Sequence, residues 1–235
     1  MQHNLFRNFL FTLLALSSLL FSNTLPSTIS TTVSTITSNG QIQLSSSVPQ
    51  GMSGIVIHNY GNGLSAITHA SISQGEGKAE VTSYEAIPHD NIPNIQTAVT
   101  KGDKVVFGSF YENAMVIAPN RDIYRKITTS YKKTWIHPDA YALYFMKEEE
   151  TKLTLESLKK FAQLNQVGLV LIVSLKNILI LDPISKIFLG TIPMQVNPKN
   201  VMVPFYARFK QTDISTFGFS KKSYTPYFQS VAGLK

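Results

Sequence analysis

Gly54-Ile55-Val56-Ile57-His58-Asn59-Tyr60, then Gly61-Asn62-Gly63, then the stretch Leu64 to Ser73, is the part of the sequence that decides the fold. A β-branched run meets a glycine-rich turn. The chain then resumes with apolar and polar residues in alternation, Ala66, Thr68, Ala70 and Ile72 sharing one phase. Alternation with period two puts successive side chains on opposite faces of a strand, and a glycine-rich turn lets the strand double back. The pattern predicts a hairpin, and it repeats on both sides. Upstream, Thr32 to Thr37 is β-branched, Ser38-Asn39-Gly40 turns the chain, and Gln41-Ile42-Gln43-Leu44 alternates. Downstream come the turn Gln74-Gly75-Glu76-Gly77-Lys78, a strand from Ala79 to Ile87 and a loop from Pro88 to Pro93. Lys101-Gly102-Asp103-Lys104 then enters a strand from Val105 to Tyr111, and Met115-Val116-Ile117-Ala118 follows. Short strands punctuated in this way predict a small antiparallel β-barrel over residues 41–118. Closing the sheet removes its exposed edges.

The pattern changes at Pro119-Asn120. Ile123, Ile127 and Tyr131 recur at helical spacing. Trp135-Ile136-His137-Pro138-Asp139 starts another helix, with Pro138 in its first turn and Asp139 near its positive end. Tyr141, Tyr144 and Phe145 form its apolar face. Thr154-Leu155-Glu156-Ser157 opens a third helix with a stripe of Leu155, Leu158, Phe161, Ala162 and Leu164. Leu169 to Leu175 and Ile178 to Leu181, split by Lys176-Asn177, are β-branched and too short to span a bilayer, so they read as a buried hairpin. Ile187 to Ile192 is a further strand, and Val201 to Phe209 another. The expected class is α+β: the small barrel, then a mixed helix and β-hairpin segment over 119–209. A Ser/Thr-rich leader over 23–40 and a polar tail over 210–235 flank them.

The first 22 residues read as a cleavable signal peptide. Arg7 precedes an apolar run from Phe9 to Phe21, Ser22 is small, and Pro26 breaks any continuing helix. The run is shorter than the roughly 20 residues of a spanning helix, so no transmembrane span is expected after cleavage. There is no cysteine, which excludes disulfides, a thiolate nucleophile and cysteine-ligated metal. The formal charge is +7, and it is unevenly placed: residues 161–235 carry eight basic and two acidic side chains, against four and six in residues 1–120. Such a C-terminal third attracts anionic polymers, headgroups or acidic partners. An exported protein is not expected to meet nucleic acid.

No catalytic set assembles. His58 and His69 fall on adjacent predicted strands, but no carboxylate stands at a spacing that completes a metal site. His137 and Asp139 share one helix start, where capping is the expected role. Gly51-Met52-Ser53-Gly54 lacks the last glycine of a nucleophile elbow, since Ile55 takes that place. Gly75-Glu76-Gly77 lacks the third glycine of a dinucleotide site. Glu148-Glu149-Glu150 reads as a solvated connection. The expectation is a protein that is not an enzyme and needs no cofactor.

Several segments, in order, resemble the N-terminal domain of the plasminogen-binding surface proteins of Gram-negative epsilonproteobacteria. They are Ser53 to His58, Lys101 to Val105, Ala114 to Asn120 with Ile123-Tyr124 and Ile127, Trp135 to Asp139, Gly168 to Ile172, and Val203-Pro204-Phe205-Tyr206. Members similar to this chain continue into a long charged helical region ending in lysine, and this sequence stops soon after the shared part. The resemblance implies an exported, non-enzymatic cell-surface protein that captures host plasminogen through exposed lysine. Lys235 is the foremost candidate, because a terminal lysine offers an ammonium and a carboxylate together, and Lys221 and Lys222 are the internal candidates. The alternative is a periplasmic or outer-membrane-associated structural accessory of an envelope assembly, partnered by other envelope proteins.

Overall fold

Val56, Val105 and Phe107 are fully excluded from solvent while their strand neighbours Ile55, Ile57 and Val106 are not. This one-sided burial belongs to a closed barrel. The computed structural model describes residues 25–37, 40–84, 97–150, 152–196, 201–208 and 225–234. In it β1 (Ile29–Ile36), β2 (Ile42–Leu44), β3 (Ser53–Gly61), β4 (Leu64–Gly75), β5 (Lys78–Ser83) and β6 (Lys104–Phe107) form a ring in the order β1-β2-β5-β4-β3-β6. Pairing of Ile29 with Phe107 through Thr32 with Lys104 closes it. Gly54 is required at the β3–β6 seam, because a Cβ there would sit 2.9 Å from the Phe107 Cα.

The predicted barrel and the mixed segment behind it are both present, with several local differences. The hairpin expected from Thr32 to Leu44 is present, and its first arm, β1, reaches back to Ile29 inside the segment read as a leader. Its Ser/Thr content hides an inward phase: Thr31 and Val33 are buried, and the Thr31 hydroxyl accepts from Ser46 Oγ at 2.9 Å. The single phase expected for β4 breaks at Thr68. Val56 faces His69 and Ile57 faces Ile67, so Thr68 is a bulge. Beyond it Ser71 and Ser73, not Ala70 and Ile72, point inward, and their hydroxyls donate to Glu80 O and Val48 O, each at 3.0 Å.

The third difference concerns β7 (Asn113–Ile117), which the sequence places in the barrel. It lies instead in a second sheet of order β11-β10-β9-β7-β8. Its partners there are β8 (Thr134–Ile136), β9 (Leu169–Val173), β10 (Asn177–Asp182) and β11 (Ile187–Pro193). β7 runs parallel to β8 and β9. Ala114 to Ile117 is buried without alternation because both faces of this sheet are covered. One face, with Ala114, Val116, Leu169, Leu171 and Ile180, shares a core with the barrel interior. The other, with Met115, Ile117, Val170, Ile172 and Leu179, packs on helices.

The helices are α1 (Arg121–Ser130), α2 (Pro138–Lys147), α3 (Leu155–Asn165) and α4 (Thr225–Ala232). Asn120 caps α1 by accepting from the Ile123 N–H at 3.0 Å, and Thr154 caps α3 through Ser157 N at 3.0 Å. Trp135 and Ile136, expected in a helix, form β8, and α2 begins at Pro138. Residues 201–208, expected as a strand, run as irregular chain beside Ala118 and Pro119. Met202 N–H donates to Pro119 O and Tyr206 N–H to Ala118 O, both at 2.7 Å. Pro204 has no N–H to offer a ladder.

A further difference is α4, within the range read as a polar tail. Tyr227, Val231 and Leu234 repeat at helical spacing and are buried in the second core. The Tyr227 hydroxyl reaches Ile117 O at 3.0 Å and Val173 O at 2.8 Å, at the ends of β7 and β9. Burial pushes this phenol well above its ordinary pKa.

Asp182 joins the two layers. It is fully buried on β10 and accepts from Ser53 N and Oγ of the barrel at 2.8 and 2.7 Å. It also accepts from Tyr111 Oη at 2.7 Å and from the N–H groups of Ile184 and Ser185 at 3.0 and 3.1 Å. Burial, and then the Asp182 charge, push the Tyr111 phenol far up. These bonds satisfy a carboxylate that would otherwise be costly to bury.

Candidate functional site

Three of the segments that carry the family resemblance, Ala114 to Asn120, Trp135 to Asp139 and Val203 to Tyr206, meet at one place. β7 and β8 are parallel, and the chain leaving each enters a helix. Pro119-Asn120 leads into α1 and His137-Pro138-Asp139 into α2, so both helix starts lie beyond the carboxyl ends of neighbouring strands. Open α/β sheets place their ligand crevices at such ends. The 201–208 segment lies alongside and adds Tyr206 and Arg208.

Three rings gather here. Tyr124 lies 5.0 Å from His137 and 5.3 Å from Tyr206, and His137 lies 5.9 Å from Tyr206, centroid to centroid. Asp139 is buried beneath them. It accepts from Arg208 N at 2.8 Å and from the Arg208 guanidinium Nε. Burial raises the Asp139 pKa, but the bonds from Arg208 and the charge of His137 outweigh it and hold the carboxyl below its ordinary value. His137 Nδ1 lies 3.1 Å from both Asp139 N and Asp139 Oδ1. Burial lowers the His137 pKa, so the neutral ring accepts from the Asp139 N–H and caps α2. Capping is the role the sequence suggested. Asp139 thus faces Arg208 through both of its oxygens and His137 through one. Arg208 remains 68% exposed as a side chain, and its outer N–H groups suit an anionic group on a partner.

A second cluster sits at the rim of the barrel. The sequence found no carboxylate for His58 and His69, yet Asp103 comes within 2.8 Å of His58 Nδ1. Asp103 also accepts from Thr100 N at 2.8 Å and Thr100 Oγ1 at 3.0 Å. Burial lowers the His69 pKa, opposed by the Asp103 charge. No group of three or more His, Cys, Asp or Glu among the described residues is placed to hold a metal ion. Ser53, in the loose elbow-like stretch, begins a barrel strand and donates to Asp182, so it is not set up as a nucleophile.

The three predicted partner-binding residues, Lys221, Lys222 and Lys235, lie outside the described residues. Leu234, in the range read as a polar tail, is buried.

Against known families, the model described as plasminogen-binding protein pgbA N-terminal matches residues 28–232. The chain belongs to this family. The matched residues include the barrel, the mixed sheet and α4 of this chain. Two curated relatives are the plasminogen-binding protein PgbA of Helicobacter pylori strain J99 and that of strain 26695. Each is 25% identical over 174 residues, covering 71% of this chain. The chain spans 38% of the length of these relatives. No solved structure matches it. Among the described residues, no helix is long and apolar enough to cross a membrane.

Sequence reasoning missed Tyr124, Tyr206, Arg208 and Asp103 as members of these clusters. Arg208 and Asp139 are 69 residues apart, and Asp103 and His58 are 45 apart. The available signal was that the resembling segments carried these residues or their neighbours.

Proposed function

We propose that this chain is an exported, non-enzymatic envelope protein that captures host plasminogen through lysine side chains, with Lys235, Lys221 and Lys222 making the contact. The family match over residues 28–232 carries the reading. The positive balance of residues 161–235 supports it, because a lysine-seeking partner presents carboxylates to the ammonium and aromatic faces to the methylene stem. The bonds from Arg208 to Asp139, and the helix cap made by His137, fit a role without catalysis.

The test is surface plasmon resonance of the purified protein on immobilised plasminogen, with and without a soluble lysine analogue. Binding that the analogue abolishes is expected. Deleting Lys235 should cut affinity most, and Lys221→Ala with Lys222→Ala should cut it further. Binding that resists the analogue, or is absent, would overturn the proposal. Protease treatment of intact cells bears on location: a protein on the cell surface is removed, and one in the periplasm is spared.

A further inference from the structure

Tyr206 is only 7% exposed, and its hydroxyl finds no hydrogen-bond partner among the described residues. The half-buried Tyr124, whose ring lies 5.3 Å away, has no partner for its hydroxyl either. A buried phenol ordinarily places its O–H on an acceptor, as Tyr111 and Tyr227 do in this chain. Here two neighbouring phenols are donors without an acceptor. Arg208 adds a third source of donors. It holds Asp139 through Nε and through its backbone N–H, which leaves the outer N–H groups of the guanidinium. The three groups sense one another. Burial and then Tyr206 push the Tyr124 phenol up, and the Arg208 charge opposes them.

The place is electropositive. Residues 118–140 and 201–208 hold six basic side chains and two acidic ones. Of the acids, Asp139 faces Arg208 and His137, and Asp122 stands in the first turn of α1. Of the bases, Lys133 pairs with Glu112. Arg121 and Arg125 flank Tyr124 one helical turn apart, are exposed, and make no ion pair among the described residues. Arg121 is the first residue of α1, and the last turn of that helix has no basic side chain. The positive end of a helix dipole disfavours a cation, and the negative end favours one. This placement is therefore the reverse of what helix stability asks for. The starts of α1 and α2 add their own positive ends to the three arginines, and together they suit an anion.

We propose that this place is a phosphate-binding site. The outer N–H groups of Arg208 fork onto the phosphate, Tyr124 and Tyr206 donate their hydroxyls to it, and Arg121 and Arg125 balance its charge. Helix starts and arginine forks are both suited to phosphate. A phosphate monoester offers three outer oxygens to donors that come from two phenols on different elements and a guanidinium. A carboxylate offers two oxygens in one plane. The phosphate arrives on a lipid headgroup or on a soluble ester. The site is separate from the lysines proposed to hold plasminogen, and it holds or fails independently of them.

The test is a titration of the full chain with inorganic phosphate, followed by isotope-edited NMR at the Arg208 Nε–H. A saturable shift is expected. Tyr124→Phe with Tyr206→Phe keeps both rings and removes both hydroxyls, and it should weaken binding about tenfold or more. Arg208→Gln should abolish binding, measured by calorimetry because the reporting group is gone. Circular dichroism checks the fold of each variant. Lys160→Gln, on α3, should bind phosphate like the parent, and acetate should bind the parent more weakly than phosphate does. Two further arms identify the carrier. Phosphatidylglycerol vesicles that displace inorganic phosphate assign the site to a lipid headgroup. Glycerol phosphate that displaces it where the vesicles do not assigns the site to a soluble ester. A parent protein with no saturable shift overturns the proposal. So does a double phenylalanine variant that binds like the parent, or acetate that binds as tightly as phosphate.

Discussion

The barrel and the second sheet solve the problem of burying β-strands in opposite ways. Barrel strands hide one face and show the other: in β6 Val105 and Phe107 are fully buried, while Lys104 is exposed. The sheet hides both, and β9 is buried along all five residues. The barrel tolerates Thr31, Thr68, Ser71 and Ser73 in its interior-facing phase because each finds a hydrogen-bond partner: Thr31 accepts from Ser46, Thr68 meets the His69 ring, and Ser71 and Ser73 donate to carbonyls. The central sheet strands β7 and β9 carry no such hydroxyls. A one-sided element can afford polar residues; a two-sided wall shared by two cores cannot.

That contrast can be broken most severely where the two layers join. Asp182→Ala should cost on the order of 4 kcal/mol in denaturant unfolding, because it strands Tyr111 Oη and the Ser53 donors in a buried place. Asp182→Asn should cost less, since it keeps acceptor oxygen. If Asp182→Ala melts like the parent, the junction is not what couples the layers. A sharper comparison sets Leu171→Ala in the shared wall against Leu44→Ala near the barrel rim. We expect losses of about 4 and about 2 kcal/mol, as cavity formation is worst where surroundings cannot collapse. Equal losses would erase the distinction between the regions.

Tyr227→Phe removes one hydroxyl shared by two carbonyls and should cost about 1 kcal/mol. Thermal unfolding would measure it, with amide exchange at the ends of β7 and β9 rising in parallel. The smallest effect is the response to acid at the second sheet's helix starts. His137 has a lowered folded pKa, so the unfolded chain binds the proton first. Stability is full above about pH 6.5 and declines as pH falls toward the folded value. Asp139 is also lowered; its contribution is full above about pH 4 and is lost as pH falls through its folded value. Arg208→Gln should flatten the lower step. An unchanged acid limb in that variant would show that the ion pair contributes nothing there.

Local signals were legible. The Gly61-Asn62-Gly63 turn between β-branched runs located the β3–β4 hairpin, and Thr154 marked the start of α3. Leu169 to Leu181 read correctly as a hairpin because two aliphatic runs flanked a polar pair. What failed was whatever depended on distant chain. Nothing local tells that Met115-Val116-Ile117 belongs with β9, which follows it by some fifty residues. The Thr68 bulge inverts the phase of β4 without any glycine to announce it. Tyr227, Val231 and Leu234 make a stripe too short to stand out among Ser, Thr and Gly. The candidate site was half visible: His137 and Asp139 were read as a helix start, but Arg208 was invisible as their partner.

Tyr227 also fixes an order of events. A chain is made from its N-terminus, so β7 and β9 exist well before α4. Until residue 227 arrives, the carbonyls of Ile117 and Val173 lack this hydroxyl and the second core lacks Tyr227, Val231 and Leu234. A nascent chain therefore keeps one wall of its sheet unsealed from the synthesis of β9 until α4 has been made.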